Sequence, residues 1–166
     1  MTDEQKADFN RRIANANAMQ LIDLLYDMLL LDLSDAEKIY HEEPEKQDEA
    51  KDCLRHAQTV LDHLQKALSF QEDREDVRAL SGNLYSLYDY CKRRIARSIY
   101  MRSPEAIADV RRVIEPLAES FKHLAETDDA PPLMEHTQDI VAGYTYGPKD
   151  INETVSSYDS NRGFTV

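Results

Sequence analysis

Four stretches of the chain place apolar residues at alternating steps of three and four, the spacing that puts side chains on one helix face. The predicted helices cover about residues 17–41, 45–69, 74–100 and 104–127, with short breaks between them. In chain order, the predicted core positions are Ala18, Leu21, Leu25, Met28, Asp32, Ala36 and Ile39; Ala50, Leu54, Ala57, Leu61, Leu64 and Leu68; Val77, Leu80, Leu84, Leu87, Cys91, Ile95 and Ser98; Ile107, Val110, Ile114, Leu117, Phe121 and Leu124. Asp32 interrupts the first stripe, and Leu29 or Leu33 is expected to share its core position. The pattern predicts an all-α fold, most simply an antiparallel up-down four-helix bundle.

Prolines mark two of the helix boundaries and lie inside one helix. Pro44 disfavours a helical residue before it and suits a first turn after it. At the next boundary, Ser103 is a good helix cap and Pro104 fills a first helical position. Pro116 lies inside the last stripe, which continues past it, so we expect a kink there and not an end.

The chain changes character after residue 127. Residues 1–127 are predicted to form the helical bundle, and residues 128–166 an irregular C-terminal extension rich in turn-forming residues. The extension begins with the acidic and proline-rich run 128–132 and carries isolated aromatic residues, namely Tyr144, Tyr146, Tyr158 and Phe164. Two roles are open for it: docking on the bundle, where it would cover a binding groove, or binding a second partner.

The third predicted helix carries a second apolar stripe beside its core stripe. This second stripe consists of Tyr85, Tyr88, Lys92, Ile95 and Ile99. A helix in a simple bundle needs one stripe only, so the surplus indicates a surface for another polypeptide. The alternative is that the tyrosines border the core and keep their hydroxyls in water.

Charge argues against nucleic acid as a partner. The 166 residues include 20 Lys and Arg against 32 Asp and Glu, a formal net charge of −12. A basic cluster between Cys91 and Arg112 holds seven basic and two acidic residues, but the charge of the remaining chain opposes RNA binding there.

No apolar run approaches the ~20 residues that span a bilayer. The polar N-terminus has no apolar signal segment, so we expect a cytoplasmic protein without membrane insertion.

The sequence contains no recognisable pattern for catalysis, metal binding or cofactor binding. No histidine has Glu three residues before it, the spacing that di-metal helical bundles use. Cys53 and Cys91 lie inside predicted helices without CxxC spacing and are interpreted as buried apolar residues. Phosphate loops, nucleophile elbows and HExxH motifs are absent from the sequence. We therefore expect no enzyme, no metal and no cofactor.

Three blocks together resemble the flagellin-export chaperone family FliS. They are LIDLLYDMLLLDLSDAEK at 21–38, NLYSLYDYCKRRIARS at 83–98 and SPEAIADVRRVIEPLAESF at 103–121. The resemblance implies an antiparallel helical bundle that binds the C-terminal segment of flagellin. It also implies that binding prevents premature polymerisation and that the chaperone delivers flagellin to the flagellar export apparatus. The chain has an apolar and aromatic stripe but no catalytic or metal-binding pattern. This combination agrees with a protein that binds a disordered segment, which folds on the surface of its chaperone.

The third helix supplies the predicted partner-binding residues. They are Leu84, Tyr85, Tyr88, Lys92, Arg93, Arg94, Ile95, Arg97 and Ile99. The aromatic and aliphatic members would make apolar contacts, and the arginines would pair with acidic groups or helix C-terminal carbonyls of flagellin.

The N-terminal region departs from the family pattern. Where the family has a Tyr and a Ser/Pro-containing cap, residues 9–20 read FNRRIANANAMQ. The sequence therefore does not predict an N-terminal plug of the groove. The alternative function is a cytoplasmic regulatory bundle that sequesters an amphipathic segment of a signalling or transcription protein.

Overall fold

The computed structural model describes residues 3–71 and 73–134, without the side chains of residues 3 and 44. The chain divides into two units, Met1–Glu135 and His136–Val166, and all described residues belong to the first. Within them there are helices and connecting segments but no strand, which confirms the all-α prediction for this part of the chain. The elements are α1 (Asp3–Ala14), α2 (Ala18–Glu42), a 3-10 turn (Pro44–Lys46), α3 (Gln47–Lys66), α4 (Glu75–Met101) and α5 (Glu105–Thr127).

Helix α1 has no counterpart among the predicted helices. Half of its twelve residues are charged, and its large apolar side chains Phe9 and Ile13 are four residues apart, on one face. Phe9 is buried with Leu24 of α2, and Ile13 packs against this small cluster. A short polar helix of this kind is marginal in water, so the contact with α2 supplies its stability.

Helix α2 starts at a reciprocal cap. The buried Asn17 accepts a hydrogen bond at its Oδ1 from the N–H of Gln20, at 2.8 Å. The side chain of Gln20 accepts in turn from the N–H of Asn17, at 3.1 Å. Two backbone donors that no helical carbonyl reaches are thereby satisfied.

The loop between α4 and α5 is only three residues long. Arg102 ends α4 in the left-handed conformation, φ 50°, and its N–H donates to the carbonyl of Ser98. Ser103 Oγ accepts a hydrogen bond from the N–H of Glu105, the first residue of α5, at 3.3 Å. Helix α5 continues through Pro116 to Thr127, as the unbroken stripe predicts.

The four long helices enclose one apolar core. Helix α2 packs against α3 and α5, and α4 packs against the same two helices. At the centre, the hydroxyls of Tyr26 and Tyr88 are hydrogen-bonded at 2.5 Å, and the Tyr26 ring stacks on Phe121 with centroids 5.3 Å apart. The other fully enclosed core residues are Leu29, Leu33, Ala36, Ala50, Leu54, Ala57, Leu61, Cys91, Ile95, Ile107, Val110 and Ile114.

Several residues that the pattern predicts in the core lie on a neighbouring face of their helix and are not fully buried. The buried face of α2 runs through Tyr26, which the pattern does not predict, and through both Leu29 and Leu33, of which it predicts one. The predicted Leu21, Leu25 and Met28 are only half-buried. The predicted positions Leu80, Leu87 and Leu124 are exposed. A period of 3.6 identifies a stripe, but where two neighbouring stripes are apolar it does not say which one meets the other helices.

The Tyr26–Tyr88 contact generates a stability prediction. Burial raises the pKa of both hydroxyls, so each stays protonated and depends on the other for its hydrogen bond. We expect Tyr88→Phe to lower the free energy of unfolding by about 1 to 3 kcal/mol, because the Tyr26 hydroxyl is left buried without a partner. The double variant Tyr26→Phe/Tyr88→Phe should cost less than the two single variants added together. Urea unfolding measures all three, and strictly additive losses would contradict the coupling.

Candidate functional site

An apolar cavity of about 570 Å³ lies open at the surface between α1, α2 and α3; we call it the groove. Its floor is a face of α2 that the core buries only in part, and one wall is α3. Nine of its twelve lining residues are apolar, so it suits apolar side chains and not a charged ligand. The lining consists of Ala18, Leu21, Ile22, Leu25 and Met28 on α2; His56, Thr59, Val60, His63 and Ala67 from α3 and its end; Ile13 on α1; and Leu133.

The groove exists because α2 is apolar on two neighbouring faces. Tyr26, Leu29 and Leu33 are wholly buried in the core. Leu25 and Met28 project from the adjacent face and are only half-buried, although they also touch the core. The contacts that bury one face therefore leave a second apolar face partly open to water.

A polar contact between α2 and α3 borders one end of the groove. Asp32 Oδ2 lies 2.5 Å from Nδ1 of His56, whose ring also lines the groove, and the Asp32 side chain is only 3% exposed. Burial raises the pKa of Asp32, against the opposing effect of His56. Lys6 and Asp52 line the small space around the pair.

Three predicted partner-binding residues are part of the core. Leu84, Tyr88 and Ile95 are buried against the other helices. The predicted core stripe includes Leu84 and Ile95, but the expectation that Tyr88 lies on a second stripe at the surface is wrong. The reason is rotational: these three residues lie on the α4 face that points between α3 and α5, where packing excludes water.

The other apolar candidates on α4 remain accessible. Tyr85 is 48% exposed and meets Phe70 edge-on, with ring centroids 6.0 Å apart. Ile99 is half-buried and packs on the core edge. Nothing in the structure tests whether either residue contacts a partner, so that role stays a prediction.

The basic candidates on α4 are largely engaged within the chain. Lys92 pairs with Asp62 of α3, and Arg94 pairs with Asp109 of α5. Arg93 pairs with Asp89, one turn earlier on α4. Arg97 is exposed. The two pairs that link α4 to its neighbours hold helices together, which leaves less free charge for a partner than the sequence suggests.

The sequence-based prediction did not identify the groove, because it placed the surplus apolar stripe on α4 and not on α2. The signal was present in the run 21–31, LIDLLYDMLLL, which holds more apolar residues than one helix face accommodates. Helix α1, which the pattern did not predict, contributes Ile13 to the groove. Its charged sequence has no apolar period that would predict a helix.

Reactive groups are scarce in the part of the chain that the structure describes. Within residues 3–71 and 73–134, no cluster of His, Cys, Asp and Glu is arranged to hold a metal ion. Burial raises the pKa of Cys91 to about 12, which leaves this thiol protonated and inert near neutral pH. Among the helices of the described residues, none combines the length and apolarity that crossing a membrane requires.

These features define a class, an all-α protein with an apolar groove between its helices. The model of the family described as flagellar protein FliS matches residues 1–128, and the chain belongs to this family. It is a family of flagellar secretion chaperones and is not known as an enzyme family. The match includes α1, although its sequence departs from the expected N-terminal pattern. No curated protein matches the chain.

The Asp32–His56 contact generates a pH prediction. Because burial raises the pKa of Asp32 above 3.8, the folded state binds this proton more tightly than the unfolded state does. The stabilisation from Asp32 is therefore fully present below pH 3.8 and is lost as pH rises through the raised pKa. Asp32→Asn removes the charge, so its stability relative to the unmodified protein should increase between about pH 4 and pH 7.

The control for this prediction is Asp52→Asn, at an exposed carboxylate beside the same contact. Urea unfolding of the three proteins across that pH range gives the comparison. If the stability of Asp32→Asn relative to the unmodified protein falls as pH rises, attraction to His56 outweighs burial and the prediction is wrong.

Proposed function

We propose that this protein is a cytoplasmic chaperone whose groove holds the C-terminal segment of flagellin on an antiparallel up-down bundle of α2–α5. Two side-chain contacts support the opposite directions of α3 and α4. Gln58 of α3 donates to the carbonyl of Lys92, and Gln65, further along α3, donates to that of Tyr85, earlier on α4. The net charge of −12 opposes a nucleic-acid partner.

The apolar lining of the groove carries the proposal. The groove floor from Ala18 to Met28 is about 15 Å long at 1.5 Å per residue, enough for about three turns of a bound helix. An amphipathic segment that is disordered alone gains enough apolar burial in such a groove to fold there. The chemistry required of the partner is thus an apolar face, with polar groups restricted to positions near His56, Thr59 and His63.

Membership of the FliS family supports a role in flagellar export. A chaperone that covers the apolar segment by which flagellin subunits associate prevents polymerisation before export, and its release delivers the subunit to the export apparatus. A groove of the same chemistry would also serve a regulatory protein that sequesters a signalling or transcription segment. The family match favours flagellin over that alternative.

The first test of this function compares two forms of flagellin. We expect one-to-one binding of intact flagellin by calorimetry and loss of binding when its last ~40 residues are removed, because helix-in-groove recognition needs that segment. Equal affinity for the intact and the truncated protein would contradict the proposal. Binding of neither form would favour the regulatory alternative.

The second test distinguishes the groove from the surface of α4. We expect Leu25→Ala to weaken flagellin binding by roughly 1 to 3 kcal/mol, the range for truncating a buried interface anchor. Leu80→Ala makes the same chemical change at an exposed position outside the groove and should leave affinity unchanged. Tyr85→Ala tests the α4 surface that the sequence favours.

The relative losses decide between the two surfaces. A loss at Leu25 with none at Tyr85 supports the groove, and the reverse assigns binding to α4. Thermal unfolding of each variant accompanies the titration, because Leu25 also touches the core and a general loss of folding must be separated from a loss of contact.

A further inference from the structure

Residues 128–134 turn back from the end of α5 to the start of α2, and we call this segment the strap. Asn17 Nδ2 donates hydrogen bonds to two strap carbonyls, that of Asp128 at 3.1 Å and that of Ala130 at 3.2 Å. The N–H of Leu133 donates to the carbonyl of Ala16 at 3.1 Å. The strap is therefore attached at two points to the connection between α1 and α2.

The anchor residue is a buried polar side chain with its hydrogen-bonding groups in use. Asn17 is only 1% exposed. Its Oδ1 caps α2 by accepting from Gln20, and both hydrogens of its amide are directed to the strap. Only an amide combines that acceptor with two donors at this position, because a carboxylate lacks the donors and a hydroxyl has one.

Little apolar burial holds the strap itself. Residues 129–134 are all exposed, and Leu133 is 62% exposed although it lines the groove. Pro131 and Pro132 have no N–H to contribute. Opening the strap therefore requires breaking a few hydrogen bonds and exposes little new apolar surface, so it is a low-energy local motion.

We propose that the strap is an autoinhibitory closure: anchored by Asn17, it holds Leu133 in one end of the groove and is displaced when an apolar segment binds there. This inference rests on the proposed function only for the identity of the apolar segment that binds. The strap and its anchor do not depend on that function. Because the strap belongs to the same chain, its effective concentration at the groove is high, and even weak contacts compete with a partner in solution. A partner must therefore supply enough apolar contact to replace Leu133.

The test uses full-length variants that keep the helix cap. Asn17→Ser retains an oxygen that accepts from the N–H of Gln20 and removes the amide that holds the two strap carbonyls. Leu133→Ala leaves the anchor intact and removes the side chain from the groove. Met134→Ala is the control, since Met134 is an exposed neighbour that does not line the groove.

Two measurements on the free protein report the strap without any partner. In Asn17→Ser, hydrogen exchange at the Leu133 amide should accelerate about tenfold, because the strap loses its anchor. Fluorescence of a hydrophobic dye should rise in both Asn17→Ser and Leu133→Ala and remain unchanged in Met134→Ala. A Leu133 amide that exchanges as fast in the unmodified protein, or dye binding unchanged in both variants, would overturn the closure.

Titration with a peptide of the flagellin C-terminal segment then tests the competition. Affinity should rise about three- to tenfold in Asn17→Ser and in Leu133→Ala and stay constant in Met134→Ala. If both variants open by exchange and dye binding but bind the peptide no more tightly, the strap does not compete and the proposal is wrong. If no protein binds the peptide, the proposed function fails, and a closure confirmed by exchange and dye binding still holds.

Discussion

The excess of apolar side chains on α2 is the constraint on which the rest of the structure depends. One face, with Tyr26, Leu29 and Leu33, meets α3 and α5 and is removed from water. The adjacent face is also apolar, and α3 covers it only in part. Helix α1 covers part of it through Phe9 and Ile13, and the remainder is the groove. The hydrophobic effect thus builds the core from one face of α2, while the adjacent apolar face stays partly open to water.

Three polar contacts determine how the segments fit around this apolar material. The Tyr26–Tyr88 hydroxyl pair joins α2 to α4, the Asp32–His56 pair joins α2 to α3, and Asn17 joins the start of α2 to the segment after α5. In each contact, a buried polar side chain is satisfied only when its partner lies at hydrogen-bonding distance. Apolar side chains tolerate rotation and sliding of a helix, whereas a buried donor without its acceptor costs about 1 to 3 kcal/mol. These contacts therefore select one arrangement among the many that would bury similar apolar area.

Charge plays a different part from the one that the basic run on α4 suggests. Lys92 and Arg94 reach across to Asp62 and Asp109, so they stabilise the packing of α4 between α3 and α5. Their side chains are about one-quarter exposed, and such partly buried pairs depend on geometry for any gain. With these two charges engaged, less of the basic cluster is free to recognise a partner than its sequence suggests. A basic cluster in an acidic chain therefore need not mark a binding site, because its charges also hold helices together.

The sequence by itself determined the helical class, the approximate ends of the four long helices and, through three blocks of residues, the family. Local signals suffice for these features, because helical period, caps and proline depend on neighbours in the chain. Tertiary structure alone decided which of two apolar stripes is buried: Tyr88 lies in the core, whereas Leu25 and Met28 line the groove. It also decided that the charged segment 3–14 is a helix. Both outcomes depend on contacts between segments distant in sequence, and a period of 3.6 contains no information about what a helix face will meet.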